Sequence, residues 1–324
     1  MLRKKIAVLR GGPSSEYDVS LKTGAEILNN LSVDKYDLSD VCITREGDWY
    51  LKGRRITPAE ILSQADLVFN AMHGQYGEDG KVQRILETFG VPYTGSQSIP
   101  SALAMNKMLA KREFKKGGIK VPIDIVLKRE LFESVNNNLI AEIFRTFPIP
   151  AIVKPISSGS SVGIGLVRTA LELQQAIEKA FEISDKILIE EYIPGREATC
   201  GVIDDFRGES IYTLLPIEIR PKSTNNFFDY EAKYSGESEE ICPGNFTLEE
   251  KREIQELAKQ AHQVLGLRHY SRSDFIISPR RGIYLLETNS LPGLTENSLL
   301  PKSLKAVGCS LTDFLEHLIQ LAGK

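Results

Sequence analysis

Tryptophan occurs once in these 324 residues, and cysteine, histidine and methionine four times each. The cysteines, Cys42, Cys200, Cys242 and Cys309, are widely spaced and form no Cys-x-x-Cys pair, which argues against a disulfide-rich secreted scaffold. Reduced, structural thiols in a cytoplasmic chain are expected, and the Asn245-Phe246-Thr247 glycosylation pattern then carries no weight. His73, His262, His269 and His317 have no metal-ligand spacing. Long apolar runs are missing too, so no membrane span is expected. The start MLRKKIAVLRGG is basic like a signal peptide, but its apolar stretch is short and runs into glycines, as a first buried strand would. Charge of one sign is not in excess. With 40 basic and 43 acidic side chains, net −3 and no one-sign block, neither a nucleic-acid nor a membrane surface is expected. The phosphate loop G-x-x-x-x-G-K-[ST] and the dinucleotide fingerprint G-x-G-x-x-G are both absent.

What is present is an ordinary globular composition, 42% hydrophobic and 26% charged, in a chain long enough for two or three domains. Strand-like KKIAVL, DLSDVCI and ADLVFNAM alternate with helical VSLKTGAEILNNL and KVQRILETFG, which predicts an open α/β domain over residues 1–98. A second unit, 99–185, begins with a helix over SALAMNKMLAKREFKKGG and continues through PAIVKP, a Gly/Ser loop, IGLV and a helix over ALELQQAIEKAFEI. The third, 186–324, starts at KILIEEYI and includes ATCGVI, IYTLLPIEI and two closing helices. Within it, Ile254, Leu257, Ala258, Ala261, Val264 and Leu265 fall on one face of a helix.

The segment SRSDFIISPRRGIYLLETNSLPG carries the clearest chemistry. Two β-rich runs flank the turn-forming PRRG, so a hairpin is predicted that brings Asp274, Glu287 and Asn289 together. Three oxygen donors suit Mg²⁺ or Mn²⁺ holding a nucleotide's phosphates better than zinc. In AIVKPISSGSSVGIGLV, Lys154 ends a strand and a loop of mostly Ser and Gly precedes the next, a hairpin able to fold over phosphates. The same loop contains Gly159-Ser160-Ser161-Val162-Gly163, a formal G-x-S-x-G, and so a rival reading as a serine hydrolase with Ser161 as nucleophile. That elbow needs a helix next, and IGLVRT is strand-like.

Weaker signals surround these. Glu190, Ile193 and Glu197, with Tyr192, could line adenine and ribose, or be ordinary strand-end residues. Glu16 and Ser20 follow the first strand, where a glutamate could hold an ammonium or merely cap a helix. His73 is open between structure and catalysis. The irregular stretch from Lys222 to Gly244, with Phe227, Phe228, Tyr230 and Tyr234, is expected to be a lid that orders on ligand binding.

Taken together these motifs resemble the D-alanine:D-alanine ligases of the ATP-grasp superfamily, end to end. GGPSSEYDVSL, HGQYGEDG, VKPISSGSSVGI, FFDYEAKY with ICPG, SRSDF, LLETNSLPGLT and NSLLP carry the likeness. Phe228 and Gly244 depart from it, where a tyrosine and an alanine are usual. The resemblance implies a three-domain α/β (α+β) ATP-grasp enzyme that joins two D-alanines for peptidoglycan synthesis, releasing ADP and phosphate. It implies ATP and two Mg²⁺ (or Mn²⁺) as cofactors, with Asp274, Glu287 and Asn289 as metal ligands and Glu287 bridging. Lys107, Lys154 and Lys233 would face phosphates, Ser161 would lie in the covering loop, and Glu190, Ile193 and Glu197 would surround the nucleoside. Glu16 would take the first ammonium, with Ser160 and Tyr234 in its hydrogen-bond network. Arg272 and the Gly293 N–H would stabilise the oxyanion, and Ser298 and Leu299 would receive the second carboxylate. A homodimer is implied, and D-lactate or D-serine is the alternative second substrate.

Overall fold

The computed structural model describes residues 3–135, 137–156, 163–221 and 238–324. Three sheets follow one another along the chain. The first has the order β4-β3-β2-β1-β5, built from β1 (Lys4–Gly11), β2 (Tyr36–Ile43), β3 (Trp49–Leu51), β4 (Arg54–Ile56) and β5 (Leu67–Asn70). β1 runs parallel to both β2 and β5, as strands joined through helices do. The residues of β1 from Ile6 to Leu9 are fully buried, consistent with a parallel strand covered on both faces. The β3–β4 hairpin was not signalled by hydrophobic alternation. Its turn residues Lys52 and Gly53 both have positive φ, 51° and 78°, the backbone a tight hairpin turn demands.

The second sheet, β6-β9-β7-β8, comprises β6 (Asp124–Lys128), β9 (Lys186–Glu191), β7 (Ala151–Pro155) and β8 (Gly165–Val167). β9, expected at the start of the third unit, lies between β6 and β7 and pairs antiparallel with both. A strand's own sequence states its burial but not its partners, and β9 is buried from Ile187 to Glu191. The third sheet has the order β13-β12-β10-β14-β15, with β11 paired to β10. Its strands are β10 (Arg196–Phe206), β11 (Glu209–Thr213), β12 (Ile217–Pro221), β13 (Ser238–Ile241), β14 (Tyr270–Ser278) and β15 (Gly282–Asn289). IYTLLPIEI is therefore two strands, broken around Leu214–Pro216 because proline cannot donate to a ladder. β13 gives the end of the expected lid a place on this sheet, while residues 222–237 lie outside the described residues.

The helix expected over SALAMNKMLAKREFKKGG is two helices, Ser98–Met105 and Lys107–Lys116. Asn106 breaks them by leaving helical geometry (φ −90°, ψ 99°) and accepting the Leu109 N–H on its side chain. Ala110 and Phe114 of the second helix are buried in one core with Ile254, Ala258 and Ala261 of the helix Leu248–Val264 and Phe275 of β14. Burying each of these larger apolar side chains is worth about 2 kcal/mol. The consequence for function is placement: this helix carries Lys107 and Lys111 to the junction of the second and third sheets.

Candidate active site

β1 ends at Gly11 and is followed by Gly12, both at positive φ, and a Cβ on Gly11 would lie 2.2 Å from the Ile43 carbonyl oxygen. Glycine lets the chain turn there. Ser20 locks the turn by accepting the Gly11 N–H at 2.7 Å and donating to the Ala71 carbonyl at 2.9 Å. Glu16 then occupies the N-cap position of the helix Tyr17–Asn30 but makes no side-chain cap bond. Its carboxylate instead joins His73 and Glu78, with ligating atoms of all three within 4.8 Å of one another.

His73, open on sequence grounds, is buried and tightly held. Thr23 Oγ1 lies 2.9 Å from its Nε2, and Glu78 Oε1 lies 3.6 Å from its Nδ1. Burial disfavours the imidazolium, but Glu78 and then Glu16 outweigh it and raise its pKa. Glu78 is itself oriented by the Gly74 N–H at 2.8 Å. Burial, followed by the charge of Glu78, pushes the Glu16 carboxyl up to about 7. Two acids and an imidazole thus share one buried corner, a grouping whose carboxylates could accept from a small cation such as an ammonium.

The predicted hairpin forms. Asp274 stands opposite Glu287 and Arg272 opposite Asn289 in the antiparallel β14–β15 ladder, with a bulge after Asp274. Strand alternation puts Glu287 and Asn289 on the same face. Arg272 grips Asp274 with both prongs, Nε to Oδ1 at 2.9 Å and Nη2 to Oδ2 at 3.0 Å, while Thr199 of β10 donates to Oδ1 at 2.6 Å. Burial opposes the charge of Arg272, but Asp274 and Glu287 raise its pKa further. Lys107 Nζ lies 3.0 Å from Glu287 Oε2, and the Asn289 side-chain oxygen accepts the Leu291 N–H at 2.9 Å. Burial works against the Lys107 charge, and Glu287 outweighs it to raise the pKa. All three expected ligands offer oxygen atoms on adjacent strands, a donor set that fits a hard divalent cation.

A third cluster centres on the buried Glu190, Lys111 and Lys154. The two oxygens of Glu190 each lie 2.6 Å from a lysine, Lys111 on one side and Lys154 on the other. Asp124 adds a second acid, 3.3 Å from Lys111 and 2.6 Å from Lys115. Burial would raise the pKa of Glu190, but Lys154 and Lys111 hold it low, whereas burial drives that of Lys111 down despite Glu190. Glu190, expected beside adenine, thus organises two lysines. Ile193 is buried just beyond β9, and Glu197 is half-buried on β10 between Ile219 and Ile276.

Beyond β15, Ser298 is the N-cap of the helix Leu299–Ala306, and its hydroxyl lies 2.7 Å from Thr295 Oγ1 rather than on the helix's own N–H groups. A Cβ on Gly293 would come 2.9 Å from that hydroxyl, so the residue expected to donate to the oxyanion and the serine expected to receive the second carboxylate are close together.

These clusters share one electrostatic neighbourhood. Glu16 feels Arg272 and Glu287, and Lys107 feels both Glu190 and Glu16. The structure therefore brings together Glu16, Lys107, Lys154, Glu190, Arg272, Asp274, Glu287 and Asn289. Ser160, Ser161, Lys233 and Tyr234 lie outside the described residues. The segment after the Gly/Ser loop is β8, paired antiparallel with β7, which is not the strand-to-helix turn a G-x-S-x-G nucleophile requires. Sequence reasoning missed Glu78, Lys111 and Thr199. Of these only Glu78 had a signal, its place in the Gly-flanked loop HGQYGEDG.

Among the described residues, no helix is long and apolar enough to cross a membrane. The family model described as D-ala D-ala ligase C-terminus matches residues 114–320, and that described as D-ala D-ala ligase N-terminus matches 5–61 and 51–96. The D-alanine–D-alanine ligase of Geobacter sulfurreducens is 39% identical over 318 residues, covering 97% of this chain and 93% of that protein. That of Halalkalibacterium halodurans is 39% identical and covers 99% of each. Among solved structures, the VanG D-Ala:D-Ser ligase from Enterococcus faecalis superposes with a TM-score of 0.87 at 33% identity, over 99% of this chain and 100% of that one. Likeness of this extent, over the whole length and in both halves, means that the chain belongs to the D-alanine–D-alanine ligase family and has its ATP-grasp fold.

Proposed function

We propose that the protein uses ATP to join two D-alanines into D-alanyl-D-alanine, releasing ADP and phosphate, for peptidoglycan synthesis in the cytoplasm. The observation that carries this reading is the meeting of an ammonium-accepting corner, Glu16 with His73 and Glu78, with the Arg272, Asp274 and Glu287 face of the β14–β15 hairpin.

A carboxylate that attacks a phosphoryl group meets charge repulsion, so cations must offset it. Asp274, Glu287 and Asn289 would hold two Mg²⁺ or Mn²⁺ ions, which when bound neutralise charge on the phosphates. Lys107 and Lys154 add fixed positive charge beside them, Lys154 steadied by Glu190. Glu16 takes the ammonium of the first D-alanine and so aims its carboxylate away from the acidic corner. An oxygen of that carboxylate bonds to the γ-phosphorus as the bond to ADP breaks, giving D-alanyl phosphate. The neutral amine of the second D-alanine then attacks the acyl carbon, the bond from that carbon to the bridging oxygen breaks, and phosphate leaves with that oxygen and takes up the proton the nitrogen loses. Arg272, held in one orientation by Asp274, and the Gly293 N–H would stabilise the tetrahedral oxyanion. Ser298, with the N-terminus of the helix Leu299–Ala306, would receive the second carboxylate. Water must be excluded while the acyl phosphate exists, a task assigned to the 222–244 segment with Lys233 and Tyr234, and to the loop with Ser160 and Ser161.

A homodimer is part of this proposal and follows from the family resemblance. The test is an ADP-release assay with ATP and Mg²⁺. Release that requires D-alanine supports the ligase. ATP-independent hydrolysis, or nucleotide binding without turnover, would contradict it.

A further inference from the structure

We propose that Arg268 and His269 are positioning residues, which clasp the segment Tyr93–Ser96 and so hold the ammonium corner of the first sheet in register with Arg272 and Asp274 on β14. The inference rests on the ligase reading above and adds a device to it.

His269 has φ 69°, in the left-handed region that costs a non-glycine residue energy. Its surroundings hold it there. Asp204 of β10 accepts the His269 N–H on its carboxylate and donates its own N–H to the His269 carbonyl at 2.9 Å. The other Asp204 oxygen lies 3.1 Å from His262 Nε2, and His262 Nδ1 lies 2.8 Å from Ser271 Oγ. Such a turn aims two adjacent side chains at a single glycine. His269 Nδ1 accepts the Gly95 N–H at 3.0 Å, and Arg268 Nε donates to the Gly95 carbonyl at 2.7 Å. Arg268 also donates from Nη2 to the Tyr93 carbonyl at 3.3 Å and lies 4.7 Å from the centre of the Tyr93 ring. Ser96 completes the clasp, its hydroxyl accepting the Arg268 N–H at 3.2 Å.

Both ends of the clasp lead to the site. Arg268 and His269 run straight into β14, which carries Arg272 and Asp274. On the other side, Tyr93 is bridged to Val68 of β5, the Thr94 N–H donates to the Val68 carbonyl at 3.0 Å, and Thr94 Oγ1 accepts the Asn70 N–H at 3.1 Å. Asn70 ends β5, three residues before His73. Gly95 is pressed from a third direction, since a Cβ there would lie 2.6 Å from Leu291 Cδ2. The clasp is thus a short rigid path from the oxyanion arginine to the imidazole of the ammonium corner, and misplacement of reacting groups by about 1 Å can cost on the order of a hundredfold in rate.

The experiment compares the full-length enzyme with Arg268→Ala, Arg268→Lys and His269→Gly. His269→Gly is the informative variant, because glycine adopts the left-handed backbone freely while the imidazole acceptor is lost. Relief of the left-handed backbone offsets part of the packing and hydrogen bond lost with the imidazole, so the variant should stay folded with only a modest fall in melting temperature. The KM for D-alanine should rise about tenfold in Arg268→Ala and His269→Gly while the KM for ATP stays within about twofold. Arg268→Lys should fall between, since one ammonium cannot match the fork. Hydrogen exchange at the Gly95 amide should accelerate in His269→Gly whether or not turnover is measured. Unchanged D-alanine KM values, unchanged Gly95 exchange, or equal losses for ATP and D-alanine alongside a large fall in melting temperature would overturn the proposal. A parent enzyme that releases no ADP with D-alanine would instead remove the ligase reading and the positioning role with it.

Discussion

Lys111 and Lys154 reach the same carboxylate from different elements, each Nζ 2.6 Å from its own oxygen of Glu190. Burial makes this arrangement unforgiving, because removing one member leaves the remaining charges poorly compensated. Lys111→Met should therefore destabilise the protein by about 3 kcal/mol, at the lower end for a broken buried pair because Lys154 remains. It should also raise the KM for ATP, since Lys154 is drawn more tightly onto Glu190. Denaturant unfolding together with ATP kinetics checks both, and Lys111→Arg should recover most of the nucleotide affinity.

Asp274 and Glu287 face each other across one ladder, so removing either charge should disable the proposed metal site without unfolding the sheet. Asp274→Asn and Glu287→Gln should each lower turnover on the order of a thousandfold or more at saturating Mg²⁺. Circular dichroism should stay native, and near-normal turnover in either variant would remove the metal assignment.

The Glu16 carboxyl, pushed up to about 7 by burial and by Glu78, gives a pH signature. Its folded pKa lies above its ordinary value of 4.5, so its contribution to stability is full below that value and is lost as pH rises through about 7. Ammonium binding has the opposite requirement, because only the carboxylate attracts the cation. The KM for D-alanine should accordingly fall between about pH 6 and about pH 8, with a smaller change in Glu16→Gln. A flat profile in the parent enzyme would argue against Glu16 as the ammonium acceptor.

Lys233-Tyr234 resembles the lid pattern of dipeptide-forming relatives rather than depsipeptide-forming ones. Competition between D-alanine and D-lactate near neutral pH should give mainly D-alanyl-D-alanine by mass spectrometry. A predominance of D-alanyl-D-lactate would contradict the assignment.

Much of the site could be read from the sequence because its residues sit at strand ends beside turns. The PRRG turn sets the β14–β15 hairpin, and the hairpin alone pairs Asp274 with Glu287. Lys111 was invisible for the opposite reason. It lies in the basic run KMLAKREFKK, where a lysine normally faces water, and its partner Glu190 is 79 residues away. Glu16 was ambiguous because a glutamate at a helix start usually caps it, and only the packing of His73 and Glu78 shows where its side chain goes. The partners of β9, placed at the start of the third unit, are not legible because its apolar sequence suits any buried strand, and only the ladders to β6 and β7 give them. The breaks at Asn106 and Pro216 escape a reading by apolar periodicity, which runs through both, although each residue carries local chemistry that interrupts an element.

Isotope transfer tests the acyl phosphate itself. With D-alanine labelled with ¹⁸O in both carboxylate oxygens, attack on the γ-phosphorus and later displacement by the second amine carry one labelled oxygen into each phosphate released. Phosphate bearing one ¹⁸O per dipeptide formed is the predicted result. Unlabelled phosphate released alongside dipeptide would show that the carboxylate never bonded to phosphorus, and would contradict the mechanism.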